Sequence, residues 1–324
     1  MRAGRTSLCF LSLCLTLQST ALFSSERDVR TWLQSMVQSV RELNYQGTFV
    51  FLHDNQLESM QIVHIVDAEG EKERLVSLNG AAREVVRDDA SVICIAPDAK
   101  SISISRRGAG GGFRAVFSMD IEALSAFYDF QLLNRARVAG RAVQAVAILP
   151  KDPYRYGYRI YLDVQKALPL KTDMLDDRGS VISQIMFTSI QIDANVKDTT
   201  EDNLDGREYY HWVQREPGKV NNEPDDREWV LDGLPKGYHI KLRTQMPAGK
   251  DGPPVSHFVL TDGLASLSLY IEPNGSDSVL IGGSRIGAVN AFGRIIEGHH
   301  ITAVGAVPAL TVEKIAQAVR PNTN

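Results

Sequence analysis

The stretch Tyr45–His53, which reads YQGTFVFLH, decides the fold of the first part of this chain. Side chains of a β-strand point alternately to opposite faces, so Phe49 and Phe51 share one face and Leu52 lies on the other. A strand with one face in water alternates apolar and polar residues, but this strand is apolar on both faces. The sequence therefore predicts a sheet whose second face is also covered, by helices, by neighbouring segments or by a ligand.

Strand-like segments continue to about Ile192, and short turns such as Asn79-Gly80 and Ala139-Gly140 separate them. Strands are predicted at 46–53, 58–66, 72–79, 83–87, 91–96, 101–105, 113–118, 130–138, 141–149, 157–164, 169–176 and 180–192. Strands joined by short turns pair antiparallel, because parallel neighbours need long crossover connections. Such a series usually curls into a barrel or half-barrel.

Two helical segments accompany these strands. Apolar residues recur at three- and four-residue spacing over Val29–Leu43, which predicts an amphipathic helix. A shorter helical pattern over Asp120–Tyr128, DIEALSAFY, places Ile121, Leu124 and Tyr128 on one side. Each segment therefore offers an apolar stripe that could cover one face of the predicted sheet.

The composition changes in the middle of the chain. Between Asp193 and Asp226 there are ten acidic and four basic side chains. This predicts a linker at 196–227 between an N-terminal domain at 22–195 and a C-terminal domain at 228–320. In the C-terminal domain, strands are predicted at 238–246, 255–261, 265–272, 286–295 and 299–306, and a helix at 308–319. It is predicted to be a small α+β domain, an antiparallel sheet with a helix across it.

The N-terminal residues have the pattern of a secretory signal peptide. Arg2 and Arg5 precede an apolar run at residues 8–17, and the small residues Ser19–Ala21 follow. The apolar run is too short to span a bilayer comfortably. The sequence therefore predicts export with loss of residues 1–21, which leaves Cys94 without a partner for an intramolecular disulfide.

Features of nucleic-acid-binding proteins and enzymes are missing from the sequence. The net charge is −4 and basic residues are spread evenly, which argues against a nucleic-acid partner. Gly283–Gly287 lacks the spacing of a nucleophile elbow, and Gly108–Gly112 lacks the Lys of a phosphate loop. His299 and His300 are adjacent on a strand and cannot share a metal ion, and His53 and His64 are predicted to be structural. The sequence predicts no catalytic residue, no metal and no cofactor.

What is unusual is a surplus of large apolar residues on the predicted strands and the short helix. A curved sheet has an inner face that side chains, a helix or a ligand must fill. A role in the core is the usual fate of each such residue, but as a set they could line a cavity for an acyl chain. These candidate cavity residues are Phe49, Phe51, Leu52, Met60, Ile62, Phe117, Phe127, Tyr128, Phe130 and Met186.

Several segments are similar to segments of the MucB/RseB proteins, in the same order along the chain. In the N-terminal domain they are Gln46–Val50, Arg74–Ala81, Glu84–Arg87, Arg137–Arg141, Arg155–Tyr158, Leu162-Asp163 and Leu168–Lys171. In the C-terminal domain they are Leu234–Tyr238, Asp262–Ala265 and Ile271–Pro273. No single segment is diagnostic, but the series together is specific and extends to Arg320-Pro321.

This resemblance implies a periplasmic regulator of an envelope-stress sigma factor. Members of the family bind the periplasmic segment of a membrane anti-sigma factor of MucA or RseA type and shield it from the site-1 protease. The resemblance implies an N-terminal domain like the carriers LolA and LolB, an unclosed antiparallel β-barrel with helices in its concavity. It implies that the C-terminal domain supplies much of the anti-sigma contact, and that lipid or lipopolysaccharide releases the partner. The linker and the loop Arg106–Gly112 depart from the family, so details of the cavity rim do not carry over.

Aromatic and arginine residues dominate the energetics of protein interfaces, so those of the C-terminal domain are candidates for the partner surface. They are Trp229, Tyr238, Arg243, Phe258, Tyr270, Phe292 and Arg294, each of which could equally be core. A second copy of the chain is a further candidate partner. Two alternatives stay open: a periplasmic carrier of lipids or lipoproteins, which would not need a second domain, and an exported hydrolase, which the missing nucleophile and base disfavour.

Overall fold

The computed structural model describes residues 28–106, 119–193, 196, 210–215, 229–246, 254–273 and 280–322. The predicted signal peptide at 1–21, the predicted strand at 113–118 with Phe117, the loop at 108–112 and most of the predicted linker lie outside the described residues. No helix in the described part of the chain is long and apolar enough to cross a membrane.

The N-terminal domain is built on one large sheet. Its strands are β1 (Tyr45–His53), β2 (Gln56–Asp67), β3 (Gly70–Ser77), β4 (Glu84–Arg87), β5 (Ser91–Ala96), β6 (Ser101–Arg106), β7 (Tyr128–Val138), β8 (Arg141–Pro150), β9 (Gly157–Asp163), β10 (Pro169–Leu175), β11 (Val181–Ile192) and β12 (His211–Arg215). They lie in the order β12-β6-β5-β4-β3-β2-β1-β11-β10-β9-β8-β7. Two antiparallel runs, β1 to β6 and β7 to β11, meet where β1 pairs with β11. The predicted large, unclosed antiparallel sheet is confirmed.

Two helices belong to this sheet. The first, α1 (Val29–Glu42), carries the predicted apolar stripe and buries Trp32, Leu33, Met36 and Val40. The second, α2 (Ile121–Leu124), is a single turn whose Asp120 side chain accepts hydrogen bonds from the first backbone amides. Burying a large apolar side chain contributes about 1.5–3 kcal/mol, so α1 is held mainly by its contact with the sheet.

The C-terminal domain has a separate six-stranded sheet in the order β14-β15-β16-β19-β18-β17. Its elements are β13 (Trp229–Leu231), β14 (His239–Met246), β15 (Val255–Thr261), β16 (Ser266–Pro273), β17 (Gly282–Ile286), β18 (Val289–Ile296), β19 (His299–Gly305), α3 (Ala309–Ala318) and β20 (Val319–Pro321). Strands β13 and β20 form a small two-stranded sheet. Helix α3 contributes Val312, Ile315 and Ala316 to the core on one face of the larger sheet.

The structure differs from the sequence prediction at several places, and it also has the unpredicted strands β13 and β20. The predicted helix over 120–128 ends at Leu124, because Tyr128 already begins β7. The predicted strand at 286–295 is mainly β18, and the unpredicted strand β17 forms a hairpin with it through a turn at Gly287. Within the predicted linker, β12 adds to the large sheet parallel to β6.

Candidate functional site

The concave face of the large sheet is covered by α1. On β1, Phe49 lies opposite Phe187 of β11, with ring centroids 5.7 Å apart, and opposite Met60 of β2. Trp32 and Met36 of α1 belong to the same buried cluster. They are at most 5% exposed, so the centre of the concavity is filled by the protein's own helix.

The candidate cavity residues lie at different depths around this centre. Those at most 5% exposed are Phe49, Ile62 and Tyr128. Those that are half-buried and packed against the core are Phe51, Met60, Phe127, Phe130 and Met186. Leu52 is 37% exposed and pairs with Leu57, so it lies on the face opposite Phe51. Phe117 lies outside the described residues.

His64 lies at the end of the concavity where α1 leads into β1. Its Nδ1 is 2.9 Å from the carbonyl oxygen of Leu43, and its Nε2 is 3.2 Å from Glu71 Oε1. A carbonyl oxygen only accepts, so Nδ1 is protonated and donates to Leu43. The ring also stacks on Tyr45 with centroids 4.7 Å apart. His64 is thus a structural histidine, as predicted, and it fastens the end of α1 to β2 and β3.

A buried polar network joins the two domains. The Arg155 side chain is fully buried, and its Nε donates to Asp262 Oδ2 over 2.8 Å. Its other nitrogens donate to Asp152 and, over 2.7 Å, to the carbonyl oxygen of Lys236. The Tyr128 hydroxyl donates to the same Asp262 oxygen over 2.8 Å. One carboxylate of the small domain therefore holds two groups of the large domain.

Aromatic rings enclose this ion pair. The guanidinium carbon of Arg155 lies 4.6 Å from the centroid of Phe127 and 5.0 Å from that of Tyr238. Burial raises the pKa of the Tyr128 phenol, and the negative charge of Asp262 raises it further. Tyr128 therefore stays protonated and remains a donor throughout the physiological pH range.

Further hydrogen bonds join the two domains beside this network, including one of 3.1 Å from the Tyr238 hydroxyl to the carbonyl oxygen of Tyr154. Asn290 donates to the Tyr156 hydroxyl over 2.9 Å, and Thr311 Oγ1 donates to the Tyr154 carbonyl over 2.8 Å. Sequence reasoning assigned no role to Arg155 or Asp262, which lie 107 positions apart. The only signal was that both fall in segments resembling one family.

Three of the seven predicted partner residues are part of the buried core of the small domain. Trp229, Tyr238 and Phe258 are at most 6% exposed. Arg243 lies over the ring of Phe258, 5.3 Å from its centroid. The predicted residues that keep some exposure are Arg243, Tyr270, Phe292 and Arg294.

On the sheet face opposite α3, His257 stacks on Tyr270 with ring centroids 4.5 Å apart and planes 6° from parallel. Its Nε2 lies 3.0 Å from Ser268 Oγ, and its Nδ1 lies 3.4 Å from Thr244 Oγ1. Burial lowers the pKa of His257 from its ordinary value of 6.5. The neutral imidazole is therefore the form that this stack favours.

Replacing this histidine is expected to change the pH dependence of stability. Because the folded-state pKa of His257 is lowered, its contribution is complete above about pH 6.5 and is lost as the pH falls through the folded-state pKa. Urea unfolding between about pH 7.5 and pH 5 should show wild type losing stability relative to His257→Gln as the pH falls. His239→Gln, at an exposed position of β14, is the matched control. Parallel curves for wild type and His257→Gln would contradict this expectation.

Comparison with known proteins assigns both domains to the same family. The family model of the MucB/RseB N-terminal domain matches residues 28–204, and that of the MucB/RseB C-terminal domain matches residues 223–320. The chain is 30% identical over 299 residues to the sigma factor AlgU regulatory protein MucB of Pseudomonas aeruginosa, covering 91% of each chain. It is 28% identical over 313 residues to the sigma-E factor regulatory protein RseB of Haemophilus influenzae, covering 96% of each.

Solved structures of MucB are similar to this chain over most of its length. The complex of Pseudomonas aeruginosa MucA and MucB has a chain that matches with a TM-score of 0.73 and 26% identity. The match covers 92% of the present chain and 100% of that one. A crystal structure of MucB in complex with MucA(peri) matches with a TM-score of 0.71 and 27% identity, over the same shares.

Proposed function

The chain belongs to the MucB/RseB family, and on that basis we propose that it restrains an envelope-stress sigma factor by binding the periplasmic domain of a membrane anti-sigma factor. Its relatives are named as regulatory proteins, so the chain is a regulator and not an enzyme. The observation that carries the proposal is the match of both domains to a chain solved together with MucA. Binding in the periplasm would shield the anti-sigma segment from the site-1 protease.

The proposed release signal is a lipid or lipopolysaccharide fragment whose acyl chain enters the concavity of the large sheet. Phe51, Met60 and Phe130 support this, since they are half-buried apolar side chains next to the filled core. An acyl chain that goes deeper would compete with Trp32 and Met36 for the same face. A ligand releases a partner only if it favours a conformation that binds the partner less well. We propose that displacement of α1 by the acyl chain leads to such a conformation.

The proposal is tested by measuring the affinity of the purified chain for its organism's anti-sigma periplasmic domain, with and without a short acylated lipopolysaccharide fragment. Tight binding that the fragment weakens, together with slower cleavage by the site-1 protease in the complex, is the expected result. If the chain does not bind the anti-sigma domain, the proposed regulatory function is wrong. If the fragment does not change the affinity for the anti-sigma domain, only the proposed lipid signal is wrong.

Phe51→Ala is expected to weaken the effect of the fragment by about tenfold while changing the affinity for the anti-sigma domain by less than about twofold. The reason is that Phe51 lies on the concave face, away from the small domain's core. Leu57→Ala is the matched control, because Leu57 is 56% exposed on the opposite face. A fragment response that Phe51→Ala and Leu57→Ala leave equally intact would count against the cavity.

A periplasmic carrier of lipids or lipoproteins is the second candidate, and the half-buried apolar rim of the large sheet favours it. A carrier should move a fluorescent acylated ligand between vesicles and show no affinity for the anti-sigma domain. The regulator should show the reverse pattern.

A further inference from the structure

The outer strand of the small sheet, β17, has a free side. It pairs with β18, and the described part of the chain places no strand on its other side. Both Gly282 and Gly283 lack side chains, and a Cβ atom added at either would have no heavy atom within 4 Å. Residues 283–286 of this strand are also exposed, so its backbone is accessible to an incoming chain.

The hairpin register shows which backbone groups face outward. The turn at Gly287-Ala288 has two residues, with φ +58° at Gly287, and Ile286 lies opposite Val289. A two-residue turn closes on a hydrogen-bonded pair, and such pairs alternate along an antiparallel ladder. The N–H and C=O groups of Gly283 and Arg285 therefore point away from β18. No strand in the described part of the chain pairs with these groups.

A groove runs along this edge between β17 and α3. It has a volume of about 350 Å³ and is lined by Gly283, Ser284, Arg285, Asn290, Ala291, Phe292, Ala309 and Glu313. Phe292 lies opposite Gly283 and packs against the core that α3 shares, so its ring is on the side of the sheet that faces α3. Arg285 on the strand and Glu313 on the helix bring one charge of each sign to the groove. The groove therefore combines outward-facing backbone groups, the apolar ring of Phe292 and one charge of each sign.

We propose that β17 binds an extended segment of the anti-sigma factor's periplasmic domain, which adds to the small sheet as a seventh strand. This inference rests on the proposed function, because it names the surface that grips the partner. Residues two apart on the added strand face the same side. The residue beside Gly283 would be apolar, over Phe292, and the residue beside Arg285 would be acidic.

The opposite edge of the sheet is less suited to such pairing. That edge, β14, carries two positive charges, Lys241 and Arg243, against one on β17, and charges on an edge strand oppose the addition of another chain. Strand addition generally combines main-chain hydrogen bonds for affinity with side-chain pockets for specificity. Within the small sheet, β17 has both.

The test compares two substitutions at one position. Gly283→Pro removes the outward N–H, whereas Gly283→Ala keeps it and adds a Cβ in open space. The affinity for the anti-sigma periplasmic domain, measured by calorimetry, is expected to fall about tenfold or more in Gly283→Pro and to change less than about twofold in Gly283→Ala. Equal affinities in both variants would overturn strand addition.

The outcomes separate this inference from the proposed function. If wild type does not bind the anti-sigma domain, the proposed function fails as well. If wild type and Gly283→Pro bind it equally, only the strand-addition surface fails. If Gly283→Pro changes self-association in sedimentation and not partner binding, the edge belongs to a second copy of the chain and the inference is overturned.

A measurement on the unmodified protein keeps the inference testable if Gly283→Pro does not fold. Synthetic segments of the anti-sigma domain are methylated at one backbone nitrogen at a time and bound to wild type. Strand addition predicts that affinity falls about tenfold at every second position of one segment, because alternate N–H groups face β17. A loss without that period of two would contradict it.

Discussion

Asp262→Asn is expected to lower the free energy of unfolding by about 3 kcal/mol, since removing one partner of a buried ion pair leaves the other charge uncompensated. The value lies at the low end for such changes because Asp152 remains as a second carboxylate for Arg155. Asparagine can still accept the turn hydrogen bonds from Leu264 and Ala265 through Oδ1. Its Nδ2 cannot accept from Arg155 or Tyr128, so the loss reports the charge together with these two hydrogen bonds. Chemical denaturation measures it.

A surface ion pair is the matched control for this substitution. Glu122→Gln removes the partner of Arg30, in a pair whose side chains are 39% and 72% exposed. It is expected to cost less than about 1 kcal/mol. An effect of Asp262→Asn no larger than that of Glu122→Gln would show that the junction is not held by the buried charge.

The same substitution bears on how the partner could be released. A linker between domains usually makes a change in their orientation the cheapest conformational change. Here Arg155 and Tyr128 of the large domain share Asp262 of the small one, so reorientation must first break a buried network. Asp262→Asn should therefore lower the acyl-fragment concentration needed to release the anti-sigma domain.

Gly237→Ala is expected to destabilise the protein by about 2–5 kcal/mol, from backbone strain and overpacking together. The φ of Gly237 is +91°, a region that L side chains rarely adopt. An added Cβ would lie 2.5 Å from Phe127 Cζ and 2.8 Å from Arg155 Nη2. The Phe127 ring and the Arg155 guanidinium would have to move, which disturbs the buried polar network between the two domains. Thermal and urea unfolding measure the loss.

Gly233→Ala separates the two causes. Gly233 has φ +77°, but an added Cβ would meet no heavy atom within 4 Å. This variant should show only the backbone strain, about 1–2 kcal/mol. Equal losses at Gly233 and Gly237 would mean that the contact with Phe127 and Arg155 can relax without cost.

The sequence was sufficient to predict the helices and strands that are marked by a local pattern of apolar residues. Apolar residues at helical spacing predicted α1, and alternation with short turns predicted nearly every strand of the large sheet. The helix over 120–128 was predicted too long, because Tyr128 fits the apolar stripe of a helix and the start of β7 equally well. In such a short segment, the pairing of Tyr128 with β8 determines that this residue belongs to a strand and not to the helix.

The sequence did not reveal the features that depend on distant contacts. Strand β17 reads GGSRI and has almost no apolar alternation, so nothing local marks it as a strand until β18 pairs with it. Likewise, Arg155 and Asp262 follow no shared pattern along the chain.

For this protein, the sequence by itself determined the β-rich architecture, the covering helix and the family, because each depends on periodicity or on the order of similar segments. Only the tertiary structure decided which residues of the sheet α1 buries, that a buried ion pair joins the domains, and that no described strand pairs with the outer side of β17. The physical reason is that burial and pairing depend on which residues meet in space, and Thr311 and Tyr154, which meet here, are 157 positions apart.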